Sequence, residues 1–512
     1  MTGPLILTFD CGTQSIRALL VDKRGSIVRM VQKHFTPYFS LKQGWAEQKP
    51  EVYRDAIVAA AKELKEKSGE LWADVIAVTS TSFRDACVCV DEKGNALRPI
   101  ILWLDQREAE CKQPLPLISR LAFAAAGMTE AITVQRKITK SNWIAENEPE
   151  IWEKTFKYIM FSGFVTHLFT GRLIDSSANQ VGHIPFDYKS KKWKSTSDLQ
   201  FAVFAVPKEK LCELVEPGEV LGYITKEFAA LSGVKEGLPV IATGSDKGCE
   251  TLGCGVVSED AASISFGTAA TVQLAVKKYV EPLQFLPAYP AVVEGQYNPE
   301  IQIYRGYWML NWFKREFAAK EVAQAAAEGV SAEDLLNKRL CEVPAGCDGL
   351  MLQPLWAPPL KNPEGRGAMI GFNGTHTRMH FYRAIIEGVG FALLDGLKNL
   401  ERRSGNRIKY LTVSGGGSQS DEICRITANM FGLPVKRIQT YEAGGVGSSL
   451  VGFVAMKEFA SFDEGIKEMV HYTDIFEPDM NEHKIYHELY GVYKDLYKQL
   501  KPSYLKLRKT MK

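Results

Sequence analysis

A chain of 512 residues, 46% hydrophobic and 24% charged, has the composition of an ordinary folded protein, and a prior of roughly 150 residues per domain allows two to four domains, of which two large ones are expected. A net charge of +2 gives no basis for a nucleic-acid or anionic-membrane partner, and no apolar run approaches the ~18 residues that span a bilayer. Ten cysteines without regular spacing favour reduced thiols over a disulfide framework; Cys87 and Cys89 share a strand face but lack a second pair to complete a metal site, and the eight histidines show no ligand pattern. The opening MTGPLILTFD has no basic leader region, so a cytoplasmic protein acting on a small molecule is the expectation.

Residues 5–22, LILTFDCGTQSIRALLVD, predict two buried antiparallel strands joined by a polar turn. Gly12 is expected to supply a positive φ and a close backbone approach, with Thr13, Gln14 and Ser15 adding donors, which is the chemistry of a phosphate nest. Asp10 ends the first strand beside that nest, where a carboxylate would repel phosphate unless a divalent cation lay between them, so Asp10 predicts a Mg²⁺ site. A third strand over 26–35, a helix over 50–67 with a proline at its start, and strands over 74–80 and 86–91 follow. The loop Thr81-Ser82-Phe83-Arg84-Asp85 leaves the C-terminal end of a buried strand, where α/β sheets present ligand contacts; Arg84 and Asp85 are candidates to grip sugar hydroxyls, with Trp103, Asp105 and Arg107 as a similar cluster. The competing reading of both clusters is a solvated Arg/Asp pair.

Residues 110–235 read as a mostly helical insertion, with a helix over 141–154 interrupted by Pro149 and another over 159–170. The turn-rich stretches 217–218 and 233–239 place a boundary near 240, giving domains 1–240 and 241–512. Beyond it, a short strand over 240–244 leads to Ser245, Asp246 and Lys247, which puts the Asp246 carboxylate at the start of a helix and at a cleft mouth. Residues 263–272, SISFGTAATV, repeat the opening theme around Gly267 and Thr268, and such a repeat half a chain apart suggests duplicated domains facing one nucleotide. Gly415, Gly416 and Gly417 stand between a strand and a helix, where a base or phosphate can approach closely, and a second strand-glycine-helix unit follows at 435–456. The basic tail beyond Tyr497 reads as a solvated end.

Together these residues resemble the FGGY family of carbohydrate kinases over nearly the whole chain. Asp10-x-Gly12-Thr13 with Arg17 looks like the family's first phosphate loop, Phe266-Gly267-Thr268 like its second, and Gly415 to Gly417 like its adenosine loop. Gly244-Ser245-Asp246 matches the position of the family's catalytic aspartate, and Gly367-x-Met369-x-Gly371-Phe372 with His380-Phe381-x-x-Ala384-Ile385-Ile386-Glu387 follows its C-terminal signature. The other signature is partial, since Lys140-Ser141-Asn142-Trp143-Ile144 has Ser where an apolar residue is usual.

The resemblance implies an α/β protein of two actin-like, ribonuclease-H-like domains flanking an interdomain active-site cleft, the first binding sugar and the second nucleotide. It implies ATP-dependent phosphorylation of a small sugar, polyol or sugar derivative, with Asp246 as general base and a further ligand of Mg²⁺ beside Asp10. Gly12, Thr13, Gln14, Arg17, Gly267, Thr268 and Gly415 to Gly417 would bind ATP, and Arg84, Asp85 and Asp246 the acceptor. Xylulokinases usually carry Met-His-Gly where this chain has Phe83-Arg84-Asp85, which counts against a typical xylulokinase; Arg followed by an acid is similar to glycerol kinases, from which Lys247 departs. A catalytically silent sugar sensor and an actin-like assembly ATPase are the rival classes, and the oligomeric state is left open, a homodimer included.

Overall fold

The computed structural model describes residues 3–199, 201–204, 206–284, 286–357 and 362–511, and its chain divides into two compact units, each built on a six-stranded mixed sheet. The first unit comprises Met1–Gly253, Tyr289–Gln296 and Gly444–Val470; the second comprises Cys254–Ala288, Tyr297–Ala443 and His471–Lys512. Among the described residues no helix is long and apolar enough to cross a membrane.

The first sheet holds β1 (Leu5–Cys11), β2 (Ser15–Val21), β3 (Ile27–His34), β4 (Val75–Ser82), β5 (Val220–Tyr223) and β6 (Pro239–Ile241) in the order β5-β6-β4-β1-β2-β3. As the two apolar runs either side of a polar turn predict, β1 and β2 form an antiparallel hairpin, which β3 extends into a meander; β4 joins β1 in parallel, β6 joins β4 in parallel, and β5 closes the edge antiparallel to β6. Val240 and Ile241 pair with Val78 and Thr79, which commits this stretch to the first sheet, so the compact units part after Gly253 rather than near 240.

Five helices position the candidate residues: α1 (Pro50–Ser68), α2 (Phe161–Thr170), α3 (Asp246–Gly253), α4 (Arg378–Ser404) and α5 (Ala443–Ala455). Side chains alternate across a strand, so β1 sends Leu5, Leu7, Phe9 and Cys11 into a core shared with Ile57 and Leu64 of α1 and Phe161 and Phe169 of α2. Its opposite face carries Ile6, Thr8 and Asp10. Helix α5 closes on that face through small residues. A Cβ on Gly452 would lie 3.0 Å from Thr79 and 3.1 Å from Ile6, Ser449 Oγ lies 2.7 Å from Thr8 Oγ1, and a Cβ on Gly447 would fall 1.9 Å from the Cys249 carbonyl oxygen of α3. The glycines of the 435–456 unit thus serve close packing, and they bring α3 onto the face that bears Asp10.

The insertion is mostly helical as far as α2, and in its remainder only the short helices Phe201–Phe204 and Lys226–Ser232 are α-helical among the described residues. Pro149 starts a new helix, Pro149–Lys154, after Lys140–Asn147, as a ring that needs no amide donor allows. Beyond Gly171, whose left-handed backbone ends α2, the expected helices give way largely to loops and the short strands Ile174–Ser176, Phe186–Asp187, Lys192–Trp193 and Glu213–Val215. Ser141, the odd residue of the partial signature, is buried and donates to the Phe204 carbonyl at 2.7 Å, which gives the hydroxyl a structural reason.

The second sheet holds β7 (Ala261–Phe266), β8 (Ala270–Leu274), β9 (Glu300–Ile303), β10 (Tyr410–Ser414), β11 (Val435–Ile438) and β12 (Tyr472–Phe476) in the order β9-β8-β7-β10-β11-β12. Its pairing repeats the first sheet strand for strand: antiparallel β7-β8-β9, parallel β7-β10 and β10-β11, antiparallel β11-β12. Only the edge differs, since β12 follows its partner in the chain whereas β5 precedes its own. Glu387 of the C-terminal signature is buried in α4, where Arg383 Nε donates to its Oε1 at 2.7 Å and Tyr486 Oη at 2.8 Å, while Arg383 also caps the Leu340 and Val343 carbonyls. That part of the signature lies in the interior of the second unit as an ion pair whose groups are hydrogen-bonded, as a buried charge requires.

Gly447→Ala is expected to lower the stability of the first unit by about 1–3 kcal/mol through overpacking, read as a lower urea midpoint. Gly491→Ala, whose Cβ would meet nothing within 4 Å, should leave the midpoint unchanged or slightly raised.

Candidate active site

Asp10 and Arg17 face each other across the β1–β2 hairpin, and Arg17 Nη1 donates to Asp10 Oδ2 at 3.0 Å. Burial raises the Asp10 pKa and Arg17 pulls it back, while Glu250 of α3 pushes it up and Lys247 of α3 down. The turn closes by Gly12 N donating to Ser15 O at 2.9 Å. Gly12 does not take the positive φ expected of it; it is required for space, because a Cβ would lie 3.1 Å from the Ser15 carbonyl oxygen. Thr13 Oγ1 accepts from Trp103 Nε1 at 3.0 Å, and Gln14 stands exposed at the tip.

The Asp246 carboxylate begins α3, accepts the Lys247 amide at 2.8 Å and lies 3.6 Å from Arg84 Nε, with 36% of the side chain exposed. Burial raises its pKa, against the opposing pull of Arg84 and Lys247. Lys247 itself donates to Glu250 at 2.6 Å. The turn before Asp246 is fixed from two sides. Thr81 Oγ1 donates to the Gly244 carbonyl at 3.0 Å, and Thr243 Oγ1 donates to Ser80 O. Behind it the fully buried Asp175 accepts from Ser162 Oγ (2.6 Å), Gln180 Nε2 (2.8 Å), the Ser176 amide (2.8 Å) and Asn179 Nδ2 (2.9 Å), organising a segment whose Ser176 hydroxyl donates to Thr243 O and whose Ala178 carbonyl accepts from the Ser245 amide at 3.4 Å. Sequence reasoning missed Asp175, because one Asp among polar residues carries no signal until its donors are assembled.

Arg84 packs over the Tyr289 ring, 5.1 Å from its centroid, while Asp85 turns away. Asp85 has φ +53°, a left-handed conformation that Asp tolerates better than most residues. Its Oδ1 accepts the His183 amide at 3.0 Å and pairs with His183 Nδ1 at 2.9 Å, and its Oδ2 accepts Lys140 Nζ at 3.0 Å. Burial opposes the charge, but His183 and Lys140 more than offset it and hold the Asp85 carboxyl well below the usual range. Lys140, His183 and Tyr289 were not singled out as site residues; only Lys140 lies in a recognisable motif.

Asp105 and Arg107 are not a sugar-binding pair. Both side chains are buried against each other at 2.8 Å, Arg107 also donates to Glu47 at 2.9 Å, and its guanidinium lies between the Trp45 and Trp143 rings at 4.0 and 4.5 Å. Two distant tryptophans convert what reads as a surface pair into a core element.

In the second unit, Gly267 and Thr268 occupy the β7–β8 tip, their carbonyls accepting the Tyr307 and Trp308 amides at 3.2 and 3.3 Å. Gly415 has φ +77°, and a Cβ there would lie 3.0 Å from Phe266 O; one on Gly417 would lie 2.7 Å from Phe266 Cβ and 2.6 Å from the Tyr307 ring. The Gly-Thr tip and the triple-glycine loop therefore lie side by side, with Gly416 open on its Cβ side. Among the described residues no group of three or more His, Cys, Asp or Glu side chains could hold a metal by itself.

Two sheets of one repeated topology, each with a Gly-containing hairpin tip, and a half-buried aspartate heading a helix are the arrangement of the two-domain actin-like sugar kinases. Residues 5–253 match the N-terminal domain, and residues 262–456 the C-terminal domain, of the FGGY family of carbohydrate kinases. The chain belongs to that family and is a carbohydrate kinase with ATP as co-substrate. It is similar to an uncharacterized sugar kinase of Escherichia coli K12, 28% identical over 98% of this chain and 96% of the relative, and to the xylulose kinase of Lactococcus lactis, 26% identical over 96% of each. The crystal structure of the xylulose kinase from Rhodospirillum rubrum superposes with a TM-score of 0.81 at 26% identity, covering 98% of this chain and 99% of that one.

Burial holds Asp175 up at about 6, above the ordinary 3.8, against the pull of its hydrogen bonds. The folded chain therefore binds this proton more readily than the unfolded chain, and the stability it contributes is lost as pH rises through that value. The wild type is expected to gain about 1 kcal/mol over Asp175→Asn as the pH falls from 7 to 5, measured as the change in the difference between their urea unfolding free energies; a flat difference would contradict the raised value.

Proposed function

We propose that this kinase transfers the γ-phosphoryl group of ATP to a hydroxyl of a small polyhydroxylated acceptor, with Asp246 as the general base. The observation that carries the assignment is the Asp246 carboxylate, heading α3, raised in pKa by burial and held 3.6 Å from Arg84. A carboxylate of ordinary pKa is a weak base toward an alcohol, so the raised value helps, and the proton moves to Asp246 late, as the alcohol oxygen bonds to phosphorus and the bond to ADP breaks. Arg84 orients the acceptor beside Asp246. Orientation of this kind can supply about 7 kcal/mol or more of the barrier reduction.

Asp10 is the residue proposed to hold Mg²⁺. Mg²⁺ takes one or two carboxylates and fills its remaining positions with water and phosphate oxygens, so a complete protein cage is not needed, and one Asp10 oxygen bonded to Arg17 leaves the other for this use. When bound with ATP the ion neutralises charge on the transferring phosphates. Gly12, Thr13, Gln14 and Arg17 would bind phosphate in the first unit, Gly267 and Thr268 in the second, and Gly415 to Gly417 would accept the adenosine. Asp246 as a second Mg²⁺ contact belongs to the same proposal, as does a cytoplasmic setting in which ATP is supplied. The relatives named xylulose kinase do not extend their substrate to this chain, since Phe83-Arg84-Asp85 replaces the Met-His-Gly usual in xylulokinases.

Asp246→Asn is expected to lower acceptor-dependent ADP formation by at least 10²-fold while nucleotide affinity stays within about threefold of wild type. Near-wild-type turnover by this variant on an identified acceptor would overturn the assignment of the base, and tight acceptor binding without ADP release by the wild type would leave a sensor of the same fold.

A further inference from the structure

We infer that His183 is a specificity residue of the acceptor site: its Nε2 accepts a hydrogen bond from an acceptor hydroxyl while Asp85 holds the ring in place. The inference rests on the reading that Asp246 and Arg84 mark that site. The Asp85 carboxylate is largely occupied by protein, Oδ1 by the His183 amide and Nδ1 and Oδ2 by Lys140. An ionised carboxylate only accepts, so the imidazole must present Nδ1–H to it, and a neutral ring then carries its lone pair on Nε2. No described residue bonds that nitrogen, and 26% of the His183 side chain is exposed.

The seat of the ring is built at some cost to the backbone. Asp85 adopts φ +53°, a conformation whose strain tends to collect at functional sites. Gly182 is required beside it, because a Cβ would lie 2.8 Å from Asp85 Oδ1, and Tyr188 Oη fixes Gly182 by accepting its amide at 3.1 Å and donating to its carbonyl at 3.0 Å. The same residues lead to the proposed base. The Tyr188 ring meets Tyr289 at 5.9 Å, Arg84 lies over Tyr289, and Arg84 approaches Asp246. His183 and Asp246 are thus joined by an unbroken series of contacts within the first unit.

A lone pair on Nε2, with the Asp85 carboxylate behind the ring, suits a hydroxyl donor and disfavours a carboxylate at that position. The acceptor class this specifies is a neutral ketose or polyol rather than a sugar acid.

Wild type, His183→Asn and His183→Ser would be assayed for ADP release with D-xylulose, D-ribulose, xylitol, glycerol and D-gluconate, followed by deoxy analogues of the best acceptor. His183→Asn retains an amide donor toward Asp85 but has no atom at the Nε2 position. The expected result is a neutral best acceptor, whose KM rises about tenfold or more in His183→Asn with kcat and the KM for ATP within about threefold. One deoxy analogue should be penalised in the wild type and not further penalised in the variant. An unchanged acceptor KM, a uniform deoxy penalty in both proteins, or D-gluconate as the best acceptor would overturn the inference. If His183→Asn unfolds, the same deoxy series on His183→Ser, which also has no atom at the Nε2 position, decides by the same criterion. Failure of the kinase reading itself would show separately, as a wild type that releases no ADP with any acceptor.

Discussion

The two-residue period of β1 is the constraint on which the rest of the first unit depends. One parity, Leu5, Leu7, Phe9 and Cys11, is committed to the hydrophobic core; the other, Ile6, Thr8 and Asp10, is left for whatever packs opposite. A shift of one residue in register would send a carboxylate into the core and a phenyl ring onto the α3 and α5 side. Because the apolar set is so strongly specified, the charge at Asp10 is delivered to the same face as α3, and the opposing effects of Lys247 and Glu250 on the ionisation of Asp10 follow from pleat geometry. Core formation and placement of the candidate metal carboxylate are one event.

What could be read from the chain beforehand is what local periodicity and glycine placement encode. The hairpins at β1–β2 and β7–β8, helix α1, the strand feeding Asp246 and the glycine loop at 415–417 all announce themselves through apolar runs flanking a polar tip, proline at a helix start, or a strand ending in glycine. The strand-for-strand equivalence of the two sheets was foreshadowed only by its Gly-Thr hairpins, since parallel pairings such as β4–β6 join residues far apart in the chain and leave no local trace. The edge strands show this well: β5 and β12 occupy equivalent places but lie on opposite sides of their partners in chain order, so sequence similarity between the halves would not align them.

The candidate site was legible where a charged residue sits at a strand end, as Asp10, Arg84 and Asp246 do, and misread where burial depends on residues far away. Asp105 and Arg107 looked like ligands for hydroxyls because an acid and a base two residues apart commonly face solvent; Trp45 and Trp143 enclose them instead. His183 and Tyr289 had the opposite fate. Each is a single residue in a stretch without a helical or strand period to mark it, and each acquires meaning only from the left-handed turn at Asp85 and the stacking of Arg84. Similarly, the C-terminal signature was informative about family while its most conspicuous charge, Glu387, neutralises Arg383 in the interior of the second unit.

The glycine-rich face of α5 also bears on the order of events during synthesis. Ile6, Thr8 and Thr79 leave the ribosome early, yet the helix that covers them is encoded after Ala443, with the whole second sheet except β12 made in between. A nascent chain must keep that partly apolar face uncovered while the other unit's strands are pairing, which is a long window for non-native association in a multidomain protein. Translation that stops before Gly444 would therefore yield a chain that lacks more than a downstream segment: the first unit itself would remain incomplete, with α3 deprived of the helix against which it docks.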